Sequence, residues 1–223
     1  MTMRRSAALA AVLCVLLLPV GAAADKPGFY LDPAHVDLTV LLPPPPDVAS
    51  AQAQADEAQV AAAVAGRTRT QFLEAQETSV RTVFFFTPSV GAGFTEERLP
   101  VTARFFAHIG SDLKSVIDAA KAYWARPRPD GAQTRFGSYP SGHAAFAAAS
   151  AIVLAQLLPA KRDAIFIQAR AFAENRIILG LHYPSDIASG WTAGTLAAYV
   201  MMSDRAFKRD FAAAKAELRR AGL

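Results

Sequence analysis

At 223 residues, 52% of them hydrophobic, the chain is long enough to bury one substantial core and needs no second domain. Its formal charge of +4 is too small a surplus to argue for nucleic acid as a partner. The only cysteine, Cys14, lies in an apolar N-terminal run, which excludes cysteine catalysis and a disulfide framework from everything that follows it.

Residues 1–24 read as a cleaved signal peptide: Arg4 and Arg5 form a charged start, Ala7 to Val20 an apolar stretch, and Ala22-Ala23-Ala24 a small-residue exit. The apolar stretch is shorter than a spanning helix needs, so a retained anchor is the weaker reading. The expectation is a periplasmic or secreted protein, processed near Ala24. Removal of Arg4 and Arg5 leaves a charge of about +2, so any positive charge that matters is local.

Residues 25–47 form a proline-rich extended strap ending in Pro43 to Pro46; proline fixes φ and removes a donor, so no helix is expected there. Its apolar residues (Phe29, Tyr30, Leu31, Val36, Leu38, Val40, Leu41 and Leu42) suggest a segment lying on the body, and an exposed apolar strap would favour a homodimer. Residues 48–223 then read as a single helical domain. From Val48 to about Val80, Asp47 or Ser50 offers an N-cap and Gly66 a break between two helices. "FFFTPSVGAGF", 84–94, reads as an apolar bend. Residues 96–124 read as helix in two pieces meeting near Gly110, with Ser111 as the second cap and Leu113, Val116, Ile117 and Ala120 in helical phase.

Further helices are expected over Ser141 to Leu158, Lys161 to Leu179, and Pro184 to Met202. A tail from Asp204 to Arg220 sets Phe207, Phe211, Ala214 and Leu218 on one stripe that docks on the body. Strand alternation and hairpin signals are missing, so the fold class is all-α, a compact helical bundle. The apolar runs are interrupted by charge, glycine or proline, which fits buried core helices and no stable membrane insertion.

Three stretches carry chemistry. "KAYWARPRPD", 121–130, places Lys121, Arg126 and Arg128 around two prolines, so the arginines sit on a bend; a solvated basic turn is the bland alternative. "GSYPSGHAAF", 137–146, puts Ser141 at an N-cap, Gly142 and His143 in the first turn, and free N–H groups where an anion could bind; alone it also reads as an ordinary cap beside a packed histidine. "NRIILGLHYPSDI", 175–187, sets Arg176 before a helix end, then His182 and, four residues on, Asp186, which could accept from one ring nitrogen and leave the other aimed outward; a structural pair is the alternative. Together they describe a phosphate site: Lys121, Arg128 and Arg176 as cationic donors, Ser141 and the Gly142 amide as neutral ones, and two histidines for chemistry.

In order and spacing, "KAYWARPRP", "PSGH" and "NRIILGLHYPSD" resemble the type 2 phosphatidic acid phosphatase and vanadium haloperoxidase superfamily. With the signal peptide, the "LLPPPP" strap and "GSYPSGH", the chain is similar to bacterial class A non-specific acid phosphatases. The departures are Asn175, where the family pattern has serine, and Ala144, where the narrower class often has threonine. The resemblance implies a vanadate-sensitive hydrolase acting on phosphomonoesters such as nucleotides or sugar phosphates, without metal or other cofactor. It implies His182 as nucleophile, oriented by Asp186 and forming a phosphohistidine, and His143 as the acid and then base. Lys121, Arg128, Ser141, Gly142 and Arg176 would hold the phosphate. The rivals are a vanadate-dependent haloperoxidase and a non-catalytic periplasmic anion-binding protein. Phe84, Phe85, Phe86, Tyr123, Trp124 and Tyr183 are candidates for a leaving-group pocket.

Overall fold

The computed structural model describes residues 28–132 and 136–223, so the signal-peptide reading lies outside the described residues. The helices are α1 (Leu38–Leu41), α2 (Ala51–Gly66), α3 (Arg69–Glu77), α4 (Thr87–Val90), α5 (Pro100–Trp124), α6 (Gly142–Leu157), α7 (Arg162–Ile178), α8 (Pro184–Ser203) and α9 (Arg205–Arg220). No strand occurs among the described residues. Local chemistry sets many of the starts: the Ser50, Thr68, Ser141 and Asp204 side chains each accept a backbone N–H of the helix that follows. Gly66 closes α2 as expected, and Gly180, at φ 73°, follows the end of α7 in the left-handed region that glycine enters without a steric cost.

The bundle is built around α6, whose side chains are buried on nearly every face. It packs chiefly against α8 and α7, with α5 on a further side. The crossing with α8 is close because α8 presents glycines: a Cβ at Gly190 would stand 2.3 Å from the Ser141 carbonyl oxygen, and one at Gly194 2.1 Å from that of Ala145. Any larger residue at either position would drive the two backbones apart. The same contact is locked end to end by a hydrogen bond from Ser141 N to the Asp186 carbonyl, 2.9 Å. The starts of α6 and α8 are thereby fixed against each other.

The strap lies on the body, with Tyr30, Leu31, Val36, Leu38 and Leu42 in the core and Phe29, Val40 and Leu41 exposed. It is not wholly extended: Pro33–His35 makes a 3-10 turn and α1 one helical turn. Pro33 occupies a first position where its missing N–H costs nothing, and the α1 stretch contains no proline, so the steric bar applies to neither. One carboxylate anchors the segment. Asp112 on α5, 2% exposed, accepts from the Phe29, Tyr30 and Leu31 amides at 2.8, 2.7 and 3.0 Å.

Helix α5 runs unbroken through Gly110, against the expectation of two pieces, because the absent Cβ admits the Phe146 ring, which would stand 3.3 Å from one. The α9 stripe docks as expected, burying Phe207, Ala214 and Leu218, with Phe211 packed at the edge. Glu217 then accepts from the Val101 and Thr102 amides and the Thr102 hydroxyl, serving the orphan donors at the start of α5. Asp112→Ala should destabilise the protein by about 3 kcal/mol, since buried strap amides lose a charged acceptor. Denaturant unfolding measures this, and a loss under about 0.5 kcal/mol would contradict the anchoring role.

Candidate active site

Several helix ends meet at the start of α6. The last turn of α5 delivers Lys121, the last turn of α7 Arg176, and the first turn of α8 Asp186, with His182 just ahead of Pro184, the first helical residue. Ala125, at φ 46°, closes α5 in the left-handed region, and the chain turns there into the segment that carries Arg126 and Arg128.

His182 is 3% exposed. Its Nδ1 lies 3.3 Å from Asp186 Oδ2, and its Nε2 lies 3.4 Å from Arg128 Nη1. A guanidinium can only donate, so Nε2 carries the lone pair and Nδ1 the proton. That is the tautomer a nucleophilic imidazole requires. Burial, opposed by the Asp186 hydrogen bond, lowers the His182 pKa to about 4. Arg128 also donates to the Leu181 carbonyl at 2.9 Å, fixing it beside the ring.

Asp186 is fully buried, and burial alone would raise its carboxyl. The His182 hydrogen bond, the His182 and Arg126 charges and the Tyr183 amide at 2.8 Å outweigh that and hold it below the usual range. Arg126 binds Asp186 Oδ1 at 2.7 Å and Asp56 Oδ2 at 3.0 Å, and lies 4.1 Å over the Tyr183 ring. Asp56, on α2 and 1% exposed, also accepts from the Ser185 amide and hydroxyl. Sequence reasoning gave Arg126 no role beyond the basic bend and passed over Asp56. The signal available was an acid in phase with Ala53 and Val60 on the buried face of an alanine-rich helix.

Lys121 is buried and donates to the Gly137 and Ser138 carbonyls at 2.6 and 2.9 Å. Burial, then the Arg128 charge, brings its pKa down to about 7. Ser141 is fully buried; its oxygen accepts from Ala144 N at 3.4 Å. Arg176, 1% exposed, donates through Nη2 to the Ala75 carbonyl and the Thr78 hydroxyl at 2.8 and 2.6 Å, while its buried Nε has no partner. Burial lowers its pKa to about 10. An orphaned cationic donor beside the start of α6 is what an anion would satisfy.

His143 stands in the first turn of α6, but its Nε2 lies 3.0 Å from the Ser79 carbonyl, a contact the sequence did not announce. Residues 78–79 after α3 lie over the site: Thr78 also receives Asn175 Nδ2 at 3.3 Å. Burial and then Arg176 push the His143 pKa down to about 3, with the Ser79 carbonyl opposing, and the His182 charge reaches it too. Every residue that the sequence assigned to the phosphate site is therefore placed around the start of α6. The aromatic candidates separate: Tyr123 is 70% exposed, Phe86 is fully buried, Phe85 stacks on Phe172 and Trp124 packs edge-on against Tyr139. Among the described residues no group of three or more His, Cys, Asp or Glu side chains is placed to hold a metal ion.

Residues 105–210 match the model of the PAP2 superfamily. Over that stretch, a little under half of its length, the chain is similar to the PAP2 superfamily. Among its relatives, a "Non-specific acid phosphatase" of Providencia stuartii is 27% identical over 216 residues, covering 86% of each chain. One of the same name from Salmonella typhi is 28% identical over 150 residues, 60% of this chain and 59% of that protein. An "Acid phosphatase" of Zymomonas mobilis is 32% identical over 118 residues, 47% and 45% of the two chains. The alignments thus span about half to three fifths of the Zymomonas and Salmonella proteins and most of the Providencia one. In structure the chain is similar to a transmembrane PAP2 type phosphatidylglycerolphosphate phosphatase of Bacillus subtilis (TM-score 0.51, 20% identity, 70% of this chain and 87% of that one), a likeness of fold. No described helix is long and apolar enough to cross a membrane.

Both histidines, His182 buried and His143 half-buried, have folded-state pKa values below the ordinary 6.5, so the unfolded chain takes up protons first as pH falls. Stability should be fully present above about 6.5 and decline progressively as pH falls through the folded values, to about 4 for His182 and about 3 for His143. Denaturant midpoints measured across that window check this. His143→Gln should flatten the decline, and an unchanged slope would contradict a half-buried, neutral His143.

Proposed function

We propose that this chain is an acid phosphatase that hydrolyses phosphomonoesters through a phosphohistidine on His182, without a metal ion. The observation that carries the reading is the placement of His182, with Nε2 beside the Arg128 guanidinium and Nδ1 beside a buried, ionised Asp186, the arrangement that leaves Nε2 unprotonated. Binding alone has no use for an oriented imidazole lone pair. Kinship with acid phosphatases supports the same reading.

In the proposed cycle, Lys121, Arg128, Arg176, Ser141 and the Gly142 amide hold the phosphoryl oxygens. Nε2 of His182 attacks phosphorus, the bond to the alcohol oxygen breaks, and His143 gives its proton to that oxygen. His143 then takes a proton from water, whose oxygen attacks phosphorus, and the P–N bond breaks to release phosphate. The cations spread over the site would do what divalent metals do in other phosphatases. Nucleotides and sugar phosphates are the proposed substrates, and the N-terminal apolar run supports a periplasmic or secreted location.

The acid role of His143 needs a proton that burial and Arg176 hold off in the unliganded site. A phosphate dianion placed among the cations offsets their charge and raises the His143 pKa. Binding of the dianion therefore takes up a proton, and the basic limb of the rate profile should lie at higher pH in kcat than in kcat/KM.

The test is hydrolysis of p-nitrophenyl phosphate from pH 4 to 9 with EDTA present and vanadate as competitor. Activity that survives EDTA, peaks in acid and is blocked by vanadate is expected. No hydrolysis, with halide oxidation once vanadate is added, would overturn the reading. Asp56→Ala should lower kcat about tenfold with little change in KM, because it loosens the Arg126 that steadies Asp186 and removes no phosphate contact. An unchanged kcat would show that the Asp56 end of the chain does not position His182.

A further inference from the structure

A cavity of about 410 Å³ adjoins the start of α6, lined in part by Phe84, Phe106 and Phe146 and by two cations, Arg81 and Lys114. Lys114 is paired with Asp118, one turn along α5. Arg81 differs: it is exposed, makes no hydrogen bond or ion pair among the described residues, and feels Asp118 only through space. Glu96 also faces the cavity without pairing to it.

The position of Arg81 is specific. Its Nη1 would stand 3.2 Å from a Cβ on Gly142, so the guanidinium lies against the first residue of α6. Its charge is felt by both His143 and Lys121. Arg81 therefore lines the cavity and lies against the first residue of α6, next in sequence to His143, the group assigned to protonate the departing alcohol. A neutral alcohol offers this cation at most a hydroxyl acceptor. An alcohol bearing a carboxylate gives it a charge-assisted, fork-shaped partner, while the aromatic walls take the carbon skeleton.

Resting on the phosphatase reading, we propose that Arg81 is a specificity-determining residue that selects phosphomonoesters whose alcohol carries a second anionic group, a carboxylate being the simplest. The arrangement is electrostatic and open to solvent, so the preference should weaken as salt rises.

The experiment compares kcat/KM for 3-phosphoglycerate and glycerol 3-phosphate, which differ in a carboxylate against a hydroxymethyl group, in the unaltered chain, Arg81→Gln and Arg81→Lys. A charge-assisted hydrogen bond sets the scale: the ratio of the two values should fall about tenfold in Arg81→Gln and recover in part in Arg81→Lys. A ratio that Arg81→Gln leaves unchanged overturns the assignment, whether both values hold or fall together. Unaltered melting temperatures would show that a lost ratio reflects recognition rather than folding. Failure of the unaltered chain to hydrolyse either ester would instead count against the phosphatase reading, which separates the two failures.

Discussion

The structure turns on one buried carboxylate. Asp186 is fully excluded from solvent and would sit there at a large cost were it not surrounded by donors: Arg126, the Tyr183 amide and His182 Nδ1. Its side chain serves at once as the reach-back that begins α8 and as the group that sets the His182 tautomer, and its backbone carbonyl accepts from Ser141 at the cap of α6. Removing the charge would therefore disturb a helix start, an imidazole and a helix-to-helix register together.

That register is possible because α6 and α8 touch through small residues. Ser141, Ala144, Ala145, Gly190 and Gly194 let the backbones approach, and the start of α6 is brought against the start of α8. The remaining parts come from helix ends, where side chains and unpaired amides are free to face an anion. Burial around these groups perturbs them: Lys121 is brought to about 7, and both histidines fall below their ordinary range. The Arg128 and Arg81 charges both help to push the Lys121 pKa down, a repulsion that a bound phosphate dianion would offset.

Most of this was legible in the sequence for physical reasons. Caps and glycines are local signals, so Ser50, Ser141, Asp204, Gly66 and Gly180 marked helix boundaries well. That the residues assigned to a phosphate site lie near one another was legible because their spacing reflects which helix end each must occupy. What escaped was long-range. Gly110 looked like a break because glycine is a poor helix former; only the Phe146 ring packing against it explains why α5 continues. Asp56 lies far from the three motifs in sequence, and its partnership with Arg126 and Ser185 exists only once α2 lies beside α8. The cover formed by Thr78 and Ser79 over His143 and Arg176 depends likewise on where α3 ends in space, which no local pattern encodes.

The most direct test of the central claim, that His182 is a nucleophile oriented by Asp186, is to mix the chain with a phosphomonoester carrying labelled phosphorus, quench in alkali within the turnover time, and map the label by mass spectrometry. Label on His182, absent in His182→Ala, is the predicted result. Label on Ser141, or steady turnover with no label on the protein at any quench time, would contradict it.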